Sequence, residues 1–165
     1  MDGKLRNMTS IYLYNNENQF LLLSRVGSRV VRDNAYIGTS GGHFEKDEIN
    51  DAKACVLREL REEVGLTEND IENMKLKYVT LRFKNDEIRQ NYYFFAKLKN
   101  ENITLSSNEG NLRWFKANEI FDLDMPHTAK YVIRHYINNN EQNKDNIYGG
   151  IAVEEGVVFK ELYEF

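Results

Sequence analysis

Clusters of apolar residues predict two β-hairpins in this chain. Residues 8–14 and 19–26 are rich in aliphatic, aromatic and β-branched side chains, and the polar segment 15–18 between them favours a turn. The same arrangement recurs at residues 75–83 and 87–98, which are also separated by a short polar turn. Strand patterns joined in this way pair with each other, so we predict one hairpin early in the chain and a second near its middle.

A helical pattern replaces the strand pattern at residues 52–64. This segment contains neither proline nor glycine, and Asn50 or Asp51 precedes it as an N-terminal cap. Gly65 suits the left-handed position that ends many helices. Apolar residues form a stripe along one side of the helix, which predicts that this side packs against the sheet.

The remaining pattern predicts several shorter elements. They are strands at 102–105 and 111–116, a brief helix at 117–121, and a helix from Pro126 to about residue 138. The polar segment 138–146 predicts a flexible connector, and residues 146–165 predict a terminal hairpin extension. Four consecutive aromatic residues at 92–95 place rings on both faces of one strand, so the sheet is covered on both sides. We therefore predict an α/β fold, a mixed β-sheet between helices, as a single domain over residues 1–165.

Composition narrows the class of protein. A length of 165 residues with 41% hydrophobic content and a net charge of −4 is typical of one soluble domain with a real core. The acidic balance argues against binding to a nucleic acid polymer, and the absence of a long apolar run argues against a membrane partner. Because Cys55 is the single cysteine and has no disulfide partner, we expect a reduced, cytoplasmic protein.

The helix at 52–64 carries an unusual set of acids. Glu59, Glu62 and Glu63 follow at i, i+3 and i+4, so their carboxylates share one face and repel each other. A hard divalent cation relieves that conflict, because Mg²⁺ takes oxygen ligands and retains sites for water and phosphates, and Mn²⁺ is a possible substitute. Arg58, four residues before Glu62, is placed to orient that carboxylate. The alternative is an ordinary solvated acidic face.

Residues before this helix add to the candidate site. Gly41 and Gly42 allow the backbone to approach a ligand closely, and Glu45 and Glu48 bring two more carboxylates, which we predict to act behind the metal ligands. Tyr36, just upstream, is equally suited to substrate binding and to the core.

A cluster of basic residues follows the first hairpin. Arg25 ends that hairpin, and Arg29 and Arg32 lie in the segment after it. Guanidinium groups bind phosphate oxygens in bidentate geometry, so we predict substrate contacts here, with Arg25 the leading candidate. The alternative is that these arginines are only solvent-exposed.

Residues 41–66 resemble the signature of the Nudix hydrolases, G-x5-E-x7-R-E-U-x-E-E-x-G-U, in which U is aliphatic. The second half matches completely, as Arg58-Glu59-Leu60-Arg61-Glu62-Glu63-Val64-Gly65-Leu66. Gly42 and Glu48 also have the right spacing. Nine residues rather than seven separate Glu48 from Arg58, which indicates a two-residue insertion in the loop or the first helical turn.

The resemblance implies a Nudix-like α/β/α sandwich and hydrolysis of nucleoside diphosphates linked to another group. It adds the Gly41 carbonyl as a metal ligand beside Glu59, Glu62 and Glu63. It also implies that Glu109, in the loop before the strand at 111–116, acts as general base or extra metal ligand, with Glu62 as the competing base. The plain alternative is that Glu109 is only an exposed acid of the turn beside Gly110. Gly42 is expected to contact the substrate.

The resemblance also supplies the substrate class: a nucleoside triphosphate, including oxidised ones of the 8-oxo-dGTP type, cleaved to a nucleoside monophosphate and pyrophosphate. Hydrolysis of dinucleotide polyphosphates, ADP-ribose or nucleotide sugars is the alternative among enzymes. A catalytically silent nucleotide-sensing module is the alternative outside them, although the complete set of carboxylates favours catalysis. A homodimer is compatible with both an enzyme and a sensing module.

Overall fold

The computed structural model describes residues 2–25 and 35–165, so Arg29 and Arg32 lie outside the described residues. The strands are β1 (Leu5–Tyr14), β2 (Phe20–Arg25), β3 (Tyr36–Ile37), β4 (Ser40–His43), β5 (Ile71–Lys84), β6 (Glu87–Leu98), β7 (Gly110–Phe115), β8 (Ile147–Val153) and β9 (Gly156–Leu162). The α-helices are α1 (Ala52–Val64), α2 (Ala117–Ile120) and α3 (His127–Asn138).

One sheet joins the strands of the described residues. Its main path runs β3-β2-β1-β6-β5-β8-β9, while β4 pairs with β1 and β7 pairs with β2. Strand β1 is parallel to β6, and β5 is parallel to β8, whereas the other pairs are antiparallel. Both predicted hairpins are present, and the sheet is mixed as predicted.

Helix α1 has the bounds that its sequence pattern predicted. The Asp51 side chain accepts a hydrogen bond from the Ala54 N–H at 2.9 Å, and Gly65 ends the helix with a φ of 78°. That backbone conformation has a low free-energy cost only for glycine, which has no Cβ. The capping residues thus fix both ends of the helix that carries the acids.

Two apolar clusters cover the two faces of the sheet. Val56 and Leu60 of α1 pack with Phe94 on one face, which we call the α1 face. Val132 of α3 packs with Phe95 on the other, which we call the α3 face. The neighbouring aromatic residues therefore point to opposite sides, as predicted, and the architecture is an α/β/α sandwich.

Two predictions about loops were wrong. Residues 102–105 form no strand, because Asn100 accepts hydrogen bonds from the N–H groups of Asn102 and Ile103 and forms a local turn instead. Residues 138–146 are not a free connector, because Glu141 is fully buried and forms an ion pair with Lys77 of β5 at 3.1 Å. This pair ties the segment to the sheet.

The C-terminal hairpin extends the same sheet. Strand β8 pairs with β5 from Tyr78–Tyr148 to Leu81–Ile151, and β9 forms the sheet edge. None of the helices within the described ranges is long and apolar enough to cross a membrane.

Candidate active site

Strand β4 and helix α1 approach each other closely at Gly42. Gly42 lies opposite Thr9 of β1, and a Cβ at this position would be 2.3 Å from a carboxylate oxygen of Glu59. Any side chain here would displace that carboxylate, so the glycine leaves a cradle for an acid against the strand. The predicted substrate-binding residue Gly42 therefore lies directly against the predicted metal ligand Glu59.

Glu63 contacts the same strand one turn further along α1. Its carboxylate accepts hydrogen bonds from the Ser40 hydroxyl at 2.7 Å and from the Gly41 N–H at 3.3 Å. Burial raises the pKa of the Glu63 carboxyl, and the Glu59 carboxylate adds to the rise, while Ser40, Gly41 and Arg25 oppose it. The acids of α1 thus lie close enough to influence each other.

Arg58 lies at the centre of the acidic cluster. Its guanidinium binds Glu48 through two hydrogen bonds, of 2.6 and 3.0 Å, and also reaches Glu59 at 2.7 Å and Glu62 at 3.1 Å. A longer contact of 3.8 Å joins it to Glu45. Four carboxylates therefore face one guanidinium, which leaves an excess of negative charge.

Of the four acids around Arg58, Glu48 forms the most hydrogen bonds with it. Its bidentate contact with Arg58 lowers the pKa of Glu48 to about 2. Glu48 lies in a short 3-10 helix, Lys46–Glu48, and the chain turns through residues 49–51 before α1 starts. The two extra residues predicted from the family pattern are absorbed before the helix, because the arginine and the glutamate still meet.

The loop before β7 is attached to the C-terminal end of α1. Asn108 donates hydrogen bonds to the carbonyls of Glu62 and Glu63, at 3.0 and 3.2 Å, and so satisfies groups that a helix end leaves free. Glu109 follows immediately and is half-buried. The predicted base and the acidic face of α1 are thus neighbours. Sequence reasoning missed Asn108, because an asparagine in a polar loop gives no signal of its partner.

The acids do not converge on one point as the side chains stand. Throughout 2–25 and 35–165, no three His, Cys, Asp or Glu side chains form a group arranged to hold a metal ion. Glu59 and Glu62 are bonded to Arg58 instead, and Glu63 to β4. The available donors are nevertheless carboxylate oxygens beside the backbone of Gly41, and such a donor set fits a hard divalent cation.

A cavity of about 250 Å³ adjoins this cluster on the α3 face. It extends from Ser40 and Gly41 to Arg82 and Arg89, and the start of α3 forms one wall. Arg25 also lines it, and the same side chain is close enough to affect the pKa of Glu63. The structure thus brings Arg25 to the boundary between the acids and the cavity.

The residues that line this cavity carry most of the buried polar atoms that have no hydrogen-bond partner in the described part of the chain. Five buried side-chain atoms lack a hydrogen-bond partner, and four belong to residues that line this cavity: the Tyr12 hydroxyl, Arg25 Nε, Asn91 Oδ1 and the Thr128 hydroxyl. Such atoms are costly unless a ligand or water binds them. They indicate a binding site for a polar molecule.

Tyr36 is the predicted site residue that the structure leaves aside. Its ring packs edge-on against Phe115, with ring centroids 4.9 Å apart, and it does not line the cavity next to Gly41. The alternative role in the core accounts for this position.

Comparison with known proteins agrees with the geometry. The model of the NUDIX domain matches residues 4–136. A MutT protein from Bacillus halodurans superposes with a TM-score of 0.62 and 21% identity, covering 94% of this chain and 97% of the other. A MutT protein from Methanosarcina mazei Go1 gives 0.69 and 18%, covering 86% and 99%.

An Ap4A hydrolase from C. elegans gives a TM-score of 0.60 at 17% identity, covering 82% of this chain and 97% of the other. The search of curated proteins gave no match. At these identities the solved structures establish the fold, whereas the family model spans most of the chain. The chain belongs to the Nudix family and is a hydrolase that acts on pyrophosphate bonds.

Proposed function

We propose that this chain is a Mg²⁺-dependent pyrophosphohydrolase that cleaves nucleoside triphosphates, including oxidised ones of the 8-oxo-dGTP type, to a monophosphate and pyrophosphate. The observation that carries the proposal is the excess of carboxylates around Arg58, directly beside a cavity whose lining includes Arg25, Arg82 and Arg89. Negative charge on one side and positive charge on the other suit a metal–polyphosphate complex.

Glu59, Glu62 and Glu63, together with the Gly41 carbonyl, are the groups that would hold the metal. When bound, the ion neutralises phosphate charge and lowers the pKa of a coordinated water. Mn²⁺ has the same preference for oxygen donors and is expected to substitute.

The other residues position these groups. Arg58 donates hydrogen bonds to Glu59 and Glu62 and is itself held by two hydrogen bonds to Glu48, with Glu45 at a longer distance. Ser40 and the Gly41 N–H orient Glu63. Because hydrogen bonds to the residues behind the ligands keep those ligands in place, loss of Glu48 should lower metal affinity more than loss of Glu45.

Glu109 is proposed as the general base that takes a proton from the attacking water. Its loop is held at the C-terminal end of α1, beside the acids, by the two Asn108 hydrogen bonds. Glu62 is the competing base, because it is the most exposed acid of the trio and lies beside the other proposed metal ligands on α1. Arg25 is proposed to bind phosphate oxygens between the acids and the cavity.

A substrate panel with product identification tests the function. Nucleoside triphosphates, 8-oxo-dGTP, dinucleoside polyphosphates, ADP-ribose and nucleotide sugars are incubated with Mg²⁺ or Mn²⁺, and products are identified by mass spectrometry. We expect triphosphates to be preferred and to release pyrophosphate rather than orthophosphate. Preference for ADP-ribose or a nucleotide sugar would overturn the substrate class, and no turnover of any compound would indicate a nucleotide-sensing module.

The homodimer and the cytoplasmic location also belong to this proposal. Support for pairing comes from the α1 face beyond the helix, where Leu81, Ile151 and Val158 form one row across β5, β8 and β9 and are 37%, 51% and 52% exposed. Exposed apolar surface of this kind is typical of interfaces between proteins. Light scattering after size exclusion should give twice the monomer mass, and Ile151→Asp should give the monomer mass.

A further inference from the structure

A row of three arginines crosses the sheet at the far end of the cavity. Arg6 of β1 lies opposite Arg89 of β6, and Arg89 lies opposite Arg82 of β5. Residues paired in this way point to the same face, here the α3 face. Like charges directly opposite each other on adjacent strands destabilise a sheet. Local stability therefore does not explain this arrangement.

Charge in the row is only partly compensated. Glu87 binds both Arg89, at 2.8 Å, and Arg6, at 3.4 Å, and it is the one carboxylate that pairs with the row within the described ranges. Arg82 has no ion pair with a described acid.

The strand register shows how far the arginine row lies from Gly41, which is beside the acids of α1. Gly41 lies opposite Ser10 on β1, and Arg6 is four residues before Ser10, which is about 13 Å along an extended strand. Arg82 and Arg89 line the same cavity as Gly41, and Asn91, which carries one of the unsatisfied atoms, lies between the two levels in strand register. The cavity thus has a metal-binding end and a cationic end.

We propose that Arg82 and Arg89 bind a phosphate group beyond the two that flank the cleaved bond. The row would then select chains of three or more phosphates over diphosphates such as ADP-ribose or nucleotide sugars. This inference rests on the proposed function, because it assigns the chain length of the same substrate. Guanidinium groups suit it, since they bind phosphate oxygens in pairs and remain charged at every physiological pH.

Two measurements on Arg82→Gln test the proposal separately from catalysis. The first is calorimetric binding of inorganic tripolyphosphate in EDTA, where no metal takes part. Charge-assisted hydrogen bonds predict a loss of about 10-fold or more in affinity. Arg113→Gln is the matched control, because Arg113 is an exposed arginine on β7 that stacks on Phe115 and does not line the cavity.

The second measurement is kcat/KM with Mg²⁺ for ADP, ATP and adenosine 5′-tetraphosphate, which share one nucleoside. Wild type should prefer the longer chains, and Arg82→Gln should lower that preference about 10-fold or more. Equal loss for ADP and ATP, or unchanged tripolyphosphate binding, would overturn the proposal. If wild type hydrolyses nothing but still binds tripolyphosphate through Arg82, the proposed function fails while the anion site stands.

Discussion

Two partly buried charge clusters in this protein differ in their balance. Around Lys77, the ammonium donates to Glu141 at 3.1 Å, to the Lys144 carbonyl at 3.0 Å and to Asn146 at 2.8 Å, and Glu141 also accepts from Tyr148. Each of the three N–H groups of the ammonium therefore has an acceptor. Around Arg58, by contrast, four carboxylates face one guanidinium.

The difference separates a structural role from a functional one. A balanced cluster needs nothing more, and it holds the segment after α3 onto β5. In an unbalanced cluster the carboxylates repel each other, and a bound cation would relieve this repulsion. Such a cluster is therefore a candidate metal-binding site. Variants of the two clusters should accordingly fail in different ways.

The largest expected effect is on stability, at the balanced cluster. Lys77→Met leaves the carboxylate of Glu141 buried without its main partner, so the free energy of unfolding should fall by about 3–5 kcal/mol. Chemical denaturation measures it. Lys75→Met is the control, because its partner Asp145 is 91% exposed and such pairs contribute under about 1 kcal/mol. A loss below about 1 kcal/mol for Lys77→Met would contradict the structural role.

The next effect is on activity, at the unbalanced cluster. Glu63→Gln removes one negative charge from the predicted metal ligands and should lower kcat/KM by about 100-fold to 1,000-fold at limiting Mg²⁺. Its thermal unfolding temperature should stay near that of wild type, because the amide can still accept from Ser40. Glu155→Gln, in the exposed turn between β8 and β9, serves as control. Unchanged activity at limiting Mg²⁺ would rule out this site.

Glu109→Gln tests the predicted base. Loss of proton transfer in the transition state typically costs about 100-fold or more, so kcat should fall by that factor while stability changes little. Steady-state kinetics with a triphosphate measures it. If kcat stays within about twofold, equivalent to less than about 0.5 kcal/mol, the role passes to Glu62.

The smallest expected effect is a pH dependence of stability at Glu48. Its pKa is about 2 in the folded protein and near 4.5 when unpaired, because Arg58 binds the ionised form. The depressed pKa means that this stabilisation is present above pH 4.5 and is lost as pH falls toward 2.

The measurement is the difference in unfolding free energy between wild type and Glu48→Gln from pH 7 to pH 2. We expect the difference to shrink steadily below pH 4.5. A difference that does not change with pH would show that Glu48 and Arg58 are not coupled as an ion pair.

Local chemistry made much of the fold predictable. Asp51, Gly65 and the apolar stripe gave the bounds of α1, and the aromatic residues at 92–95 gave a sheet covered on both sides. The shared face of Glu59, Glu62 and Glu63 followed from helical spacing alone. These features depend on neighbours in sequence, which the sequence displays directly.

Long-range pairing was not predictable. Residues 138–146 look like a polar linker, since nothing near Glu141 in sequence shows that Lys77 lies 64 residues away and receives it in the interior. The arginine row depends on the register between three strands, which no single segment contains. The contact of Asn108 with the end of α1 was missed for the same reason.

The central claim is that the unbalanced carboxylates of α1 bind a divalent cation. Titration of Mn²⁺ monitored by electron paramagnetic resonance tests it without any substrate. Wild type and Lys77→Met should bind the ion with similar affinity, whereas the double variant Glu59→Gln, Glu63→Gln should bind at least about 10-fold more weakly. Equal Mn²⁺ affinity in wild type and the double variant would contradict the account.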